Sequence, residues 1–136
     1  MALLPVQLFR IRQDDRHGAQ LIVLRDAEGR RLLHVVIGMF EAEAIRMRIA
    51  GMDTPRPMTH DLLANVIEEL GWKLVQVNVD NLTDHTFYAH LVLRNAAGIS
   101  VEVDSRLSDA IALAVRAGAP LFVEEAVMDE AGVPED

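Results

Sequence analysis

The chain has 136 residues, of which 51% are hydrophobic, and carries a formal charge of −8 from 21 acids against 13 lysines and arginines. That apolar content excludes a disordered chain and supports one domain with a real core. No apolar run approaches the ~20 residues that span a bilayer, and the absence of cysteine excludes disulfides, thiolate metal sites and a cysteine nucleophile.

The opening MALLPVQLFRIRQDD has no basic start ahead of its apolar residues and no long apolar core, so it is not read as a signal peptide; the expected compartment is the cytoplasm. Val6 to Ile11 alternates as a strand. Asp14, Asp15, His17 and Gly18 read as a turn into a second strand, Gln20 to Arg25. Asp26 to Gly29 reads as a hairpin turn, and Arg31 to Ile37 as a third strand. The last two strands are nearly continuous apolar runs, which places them in a sheet covered on at least part of both faces.

After Gly38, Phe40 to Ala50 is rich in good helix formers, with Ala42, Ile45 and Ile49 on the expected buried side. Two prolines make Asp53 to Met58 a loop. Thr59 is the expected N-cap of a second helix running to Leu70, with a core stripe at Leu62, Leu63, Val66, Ile67 and Leu70. Lys73 to Asn81, Thr86 to Arg94 and Ile99 to Asp104 form an antiparallel meander with turns at Asp84–His85 and at Asn95 to Gly98. The meander feeds a third helix, in which Leu107, Ala110, Ile111, Ala114 and Val115 repeat at one-face spacing; Ser105 or Ser108 caps it, and Gly118 and Pro120 stop it. A short strand, Leu121 to Val123, precedes an acidic tail expected to form one or two helical turns. The reading is a single compact α+β domain over residues 1–124, with a mixed, mostly antiparallel sheet and about three helices, and an acidic tail over 125–136.

The polar residues offer chemistry at three helix starts. Glu41 and Glu43 open the first helix, but residues two apart lie about 200° apart around it; each alone is better explained as a solvated acid favoured by the dipole. His60 and Asp61 open the second, where a proton carrier or a cation ligand would fit, or simply a dipole-favoured acid beside a bystander. Asp104 and Asp109 flank the third junction. Paired carboxylates on a divalent cation, with Arg106 neutralising phosphate charge, are what phosphodiester cleavage needs; the alternative is a capped helix with an Arg–Asp ion pair. Ser108 has no local acid–base partner for a hydrolase nucleophile. His17, His34, His60, His85 and His90 show no zinc spacing, and His34 and His90 read as packed or surface strand residues. The net charge has the wrong sign for bulk attraction to nucleic acid. Arg46, Arg48, Arg56 and Arg106 form the best local basic set, and Trp72, Phe87 and Tyr88 are aromatics that stack bases or fill the core.

Four segments, IGMFEAEAI (37–45), RPMTHDLL (56–63), TFYAHLVL (86–93) and VDSRLSDAIALA (103–114), together resemble the bifunctional nuclease domain family in order and spacing. The resemblance implies a compact α+β fold and DNase or RNase activity. It carries the family's polar positions onto Glu41, Arg56, His60, Asp61, Asp104, Arg106, Ser108 and Asp109. Leu107 and Met39 depart from residues common there, prolines among them, and so bear on loop geometry. The expected protein is a nuclease in which Asp104 and Asp109, with Asp61 or Glu41, hold Mg²⁺ or Mn²⁺. Arg56, Arg106 and Ser108 contact the substrate and His60 moves a proton. The alternative is a non-catalytic binding or regulatory domain whose charges pair internally. A homo-oligomer suits either.

Overall fold

The computed structural model describes residues 2–14, 19–26, 28 and 30–135. Eight strands, β1 (Leu3–Asp14), β2 (Ala19–Asp26), β3 (Arg31–Ile37), β4 (Trp72–Thr83), β5 (Thr86–Asn95), β6 (Ser100–Arg106), β7 (Leu121–Glu124) and β8 (Val133–Pro134), make one sheet. Their order is β6-β5-β4-β7-β1-β2-β3-β8. Every adjacent pair is antiparallel except β4 with β7. Four helices, α1 (Met39–Ile49), α2 (Thr59–Glu69), α3 (Leu107–Ala117) and α4 (Glu125–Ala131), complete the α+β fold. Among the described residues no helix is long and apolar enough to cross a membrane.

The β4–β5 hairpin follows from its two-residue turn. Asp84 and His85 both adopt positive φ (50° and 64°) between the closing pair Thr83 and Thr86, a geometry that matches the strands' right-handed twist. β6 then ends at the sheet edge, and α3 carries the chain back across one face to β7. Ile111 is fully buried, Leu107, Ala110 and Ala114 are buried with it, and Gly118 closes the helix at φ 68°, a conformation that favours glycine.

Strand residues of the core, Leu24, Leu33, Val77 and Leu91 among them, occupy the same face in every register and meet Ala42, Ile45, Ala64, Ile111 and Met128 of the four helices. The helices therefore cover one face of the sheet. The expected cover on both faces of β2 and β3 is not a second helical layer: Val36 is 65% exposed.

Several sequence expectations change. The second helix faces the other way, with Leu62, Leu63, Val66 and Leu70 all exposed, while Ala64 is buried and Ile67 half-buried. Its first turn instead faces α3, with His60 beside Asp109 and Asp61 beside Arg116. Ile49 is likewise 57% exposed. Neither Ser105 nor Ser108 caps α3; the cap position is Arg106, with the Ser105 hydroxyl donating to the Arg106 carbonyl and Ser108 buried in the first turn. Thr59 is the first helical residue of α2, not its cap. The helical turns expected of the acidic tail form as α4, which is packed rather than loose: Val127 and Met128 are buried, and β8 adds to β3. The turn residues Asp15, His17, Gly18, Ala27 and Gly29 lie outside the described residues.

Candidate active site where three helices begin

Glu41, Asp61 and Asp109 occupy the same third position of α1, α2 and α3. Acids there suit the positive end of a helix dipole, so each has a local reason to be present. Packing of α3 against α1 and α2 brings these starts together, which no local rule specifies.

Asp109 is the centre. Its Oδ2 accepts from Arg106 Nε at 2.8 Å, and its Oδ1 from Arg106 Nη2 at 3.2 Å, the two-pronged geometry of a guanidinium on a carboxylate. His60 Nε2 lies 3.1 Å from the same Oδ1. Arg106 Nη2 continues to Glu41 Oε1 at 3.7 Å. The result is a chain Glu41–Arg106–Asp109–His60 drawn from three helix starts. Beside an ionised Asp109, His60 donates through Nε2, which leaves the lone pair of a neutral ring on Nδ1. A Cβ at Gly38 would fall 2.1 Å from Glu41 Oε2, so a larger residue there would displace the Glu41 carboxylate from its present position.

Burial pushes the Asp109 carboxyl up, but hydrogen bonds from Arg106 and His60, reinforced by their charge, outweigh it and hold the group below the ordinary carboxylate range. A folded-state value below the unfolded one stabilises the fold at pH above the unfolded value, about 3.9, and the contribution disappears as pH falls through the folded value. Arg106 is 69% exposed, so solvent screens the pair and keeps the effect small. We expect melting temperatures of wild type and Asp109→Asn to differ most above about pH 5 and to converge below about pH 4; a gap that widens on acidification would contradict the assignment.

Asp61 serves a second group. Its Oδ2 accepts from the Met58 backbone N–H at 3.0 Å, capping α2, and its Oδ1 accepts from Arg116 Nε at 3.0 Å. Arg116 also donates to Asn65 Oδ1 at 3.2 Å, and its carbonyl accepts from Arg48 Nη2 at 3.3 Å. Two clefts flank the site. One, of about 350 Å³, is lined by His60, Asp61, Arg48 and Arg116; the other, of about 640 Å³, by Glu41, Arg106, Ser108, His34 and His85.

Of the expected residues, Glu41, His60, Arg106 and Asp109 come together, Ser108 lines the adjoining cleft, and Asp61 is joined instead to Arg116. Arg56 is exposed in its loop and forms no ion pair among the described residues. Asp104 is exposed on edge strand β6, opposite His90 in register, and has no hydrogen bond to the chain around Asp109. For a divalent ion the donor set is the test. All four carboxylate oxygens of Asp61 and Asp109 already accept N–H groups, and no three His, Asp or Glu side chains gather as an ion-holding group among the described residues. The three expected acids stand apart: Asp61 faces Arg116, Asp109 faces Arg106 and His60, and Asp104 lies on β6. The sequence reading missed Arg116, whose position in the last turn of α3 gave only a dipole reason for a base.

These features define an α+β domain with a histidine–carboxylate–arginine site at converging helix starts. A family model described as "Bifunctional nuclease domain" matches residues 22–136, and the chain belongs to that family. Two relatives from Mycobacterium tuberculosis strains, "Uncharacterized protein MT1877" and "Uncharacterized protein Rv1829", are each 39% identical over 128 residues, covering 94% of this chain and 76% of the relative.

Proposed function

We propose that this protein is a nuclease that cleaves phosphodiester bonds of DNA or RNA, and that the His60–Asp109 pair beside Arg106 is its reactive centre. The observation that carries this reading is the 3.1 Å contact that fixes the His60 ring while His60 lines an open cleft. A fixed imidazole with a free nitrogen accepts or donates a proton at the attacking or leaving oxygen. Arg106, largely exposed, has donors available to a phosphate and stabilises charge as it builds on the phosphoryl oxygens. Glu41 positions Arg106, and Arg56 at the loop supplies a further phosphate contact. The deciding assay follows labelled single-stranded DNA and RNA with Mg²⁺, Mn²⁺ or EDTA, comparing wild type with an identically purified His60→Gln protein. Cutting that depends on His60 supports the reading. Absence of cutting under every condition overturns it.

The internal pairing of Arg106 with Asp109 and Glu41 favours a second reading, a binding or regulatory domain whose charges fix its helix starts. Binding of nucleic acid without cleavage would select it.

The outward stripe Leu62, Leu63, Val66 and Leu70 fits a second copy of the chain. Two α2 helices laid antiparallel bury both stripes, oppose their dipoles, and bring Glu69 of each toward Arg56 at the start of the other. We expect sedimentation to show a dimer that Leu63→Glu converts to monomer; an unchanged wild-type monomer at all concentrations would reject this contact.

A further inference from the structure

Opposite the helices, the face of β1–β3 concentrates positive charge in an acidic protein. Cross-strand registers put Arg10 beside Val23 and His34, Arg12 beside Leu21 and Val36, and Arg25 beside Leu32. Residue 9 falls within the register shift between Leu8 and Arg10, and a bulge of this kind re-aims a side chain. The Phe9 ring lies under two guanidinium groups, those of Arg10 at 4.4 Å and Arg25 at 4.6 Å from its centroid. Val23 is 1% exposed yet belongs to no part of the helix-covered core, so it is covered from this side. Phe9, Arg10, Arg12, Val23 and His34 line a groove of about 370 Å³. Of the acids whose side chains are described, Glu135 reaches Arg25 at 3.6 Å, and none of them pairs with Arg10 or Arg12. His34 lines this groove and also the cleft that holds Glu41 and Arg106. His34 thus stands between the two, at the edge of β3.

We propose that the helix-free face of β1–β3 is a binding platform for single-stranded nucleic acid, along which a strand runs past His34 to Arg106, which adjoins His60 through Asp109. Arginines spaced along a strand meet successive phosphates, and an aromatic ring under guanidinium planes is a surface on which a base stacks. A duplex keeps its bases stacked inward and cannot use the ring. A second copy of the chain is disfavoured here, because a two-fold contact would press the arginines of one face onto those of the other. The α2 stripe carries no such penalty.

This inference rests on the nuclease reading for the strand's destination, and its test separates the two. Fluorescence anisotropy with a phosphorothioate-linked single strand on the order of 12 nucleotides, within the range of such sites, is followed across salt concentrations in EDTA. Proteins compared are wild type, Arg10→Gln/Arg12→Gln, Phe9→Leu, and Arg94→Gln as a control on the opposite part of the sheet. The double variant is expected to bind at least about tenfold more weakly, with a log–log salt slope shallower by about 1.4, or about 0.7 per lost phosphate contact. Phe9→Leu is expected to weaken binding about fivefold or more with the slope unchanged, as loss of a stacked base requires. Arg94→Gln should match wild type. Equal affinity and slope in all four proteins overturns the platform, and so does a wild type that does not bind, or a double variant that changes only the oligomeric state. Unmodified strands cut normally by variants that bind normally would sink the platform and leave the nuclease. Platform-dependent binding without cutting would do the reverse.

Discussion

His60→Gln is expected to reduce cleavage of single-stranded DNA or RNA at least about 100-fold, within the 10²–10⁴ that a positioned acid–base side chain contributes. The substitution keeps an N–H for the Asp109 carboxylate but removes the ring nitrogen that takes up a proton. Asp109 retains both contacts from Arg106, at 2.8 and 3.2 Å, so the site's main tether survives. We therefore expect a nearly unchanged melting temperature together with lost activity, about 3–5 kcal/mol in the barrier. The readout is turnover, with binding of an uncuttable strand measured in parallel. Weaker binding that accounts for the whole loss would make His60 a substrate contact. Full activity would remove it from the chemistry altogether.

The second large effect is on stability. Ile111→Ala is expected to cost about 3 kcal/mol, inside the range of about 2–5 kcal/mol for deleting a buried isoleucine side chain, and to lower the melting temperature by about 10 °C. Ile111 has 0% exposure in the middle of α3, where surrounding strands and helices cannot collapse onto the cavity. Set against a total stability of about 5–15 kcal/mol, that is a substantial fraction. Ile49→Ala is the control. Both residues lie on apolar positions of their helices, but Ile49 is 57% exposed, and its replacement should change stability by no more than about 0.5 kcal/mol. Similar losses at both positions would mean that α1 is packed differently.

Those two isoleucines mark where sequence reading succeeds and stops. The repeat Leu107, Ala110, Ile111, Ala114, bounded by Gly118, determined α3 and its buried face, because one-face spacing and a left-handed stop are local properties. The strand alternations, the Asp84–His85 turn and the loop with two prolines were legible for the same reason. The same spacing rule misplaced α2. Its Leu62–Leu63–Val66–Leu70 stripe is as regular as that of α3, yet it faces outward in the chain while His60 and Asp61 face Asp109 and Arg116 of α3.

For the site, the sequence supplied the cast at the helix starts, because helix dipoles and polar surplus are visible in one dimension. Partnership was not. Asp104 and Asp109 are five apart in sequence, yet only Asp109 joins Arg106 and His60, since Asp104 points from an edge strand and Asp109 from the helix that crosses the sheet. Contacts between residues 49 and 55 positions apart, His60 with Asp109 and Asp61 with Arg116, are set by how α2 lies on α3. Residue types and their local geometry were determined by the sequence read in order; which carboxylate faces which cation was decided by packing of helices, an interaction with no signature along the chain.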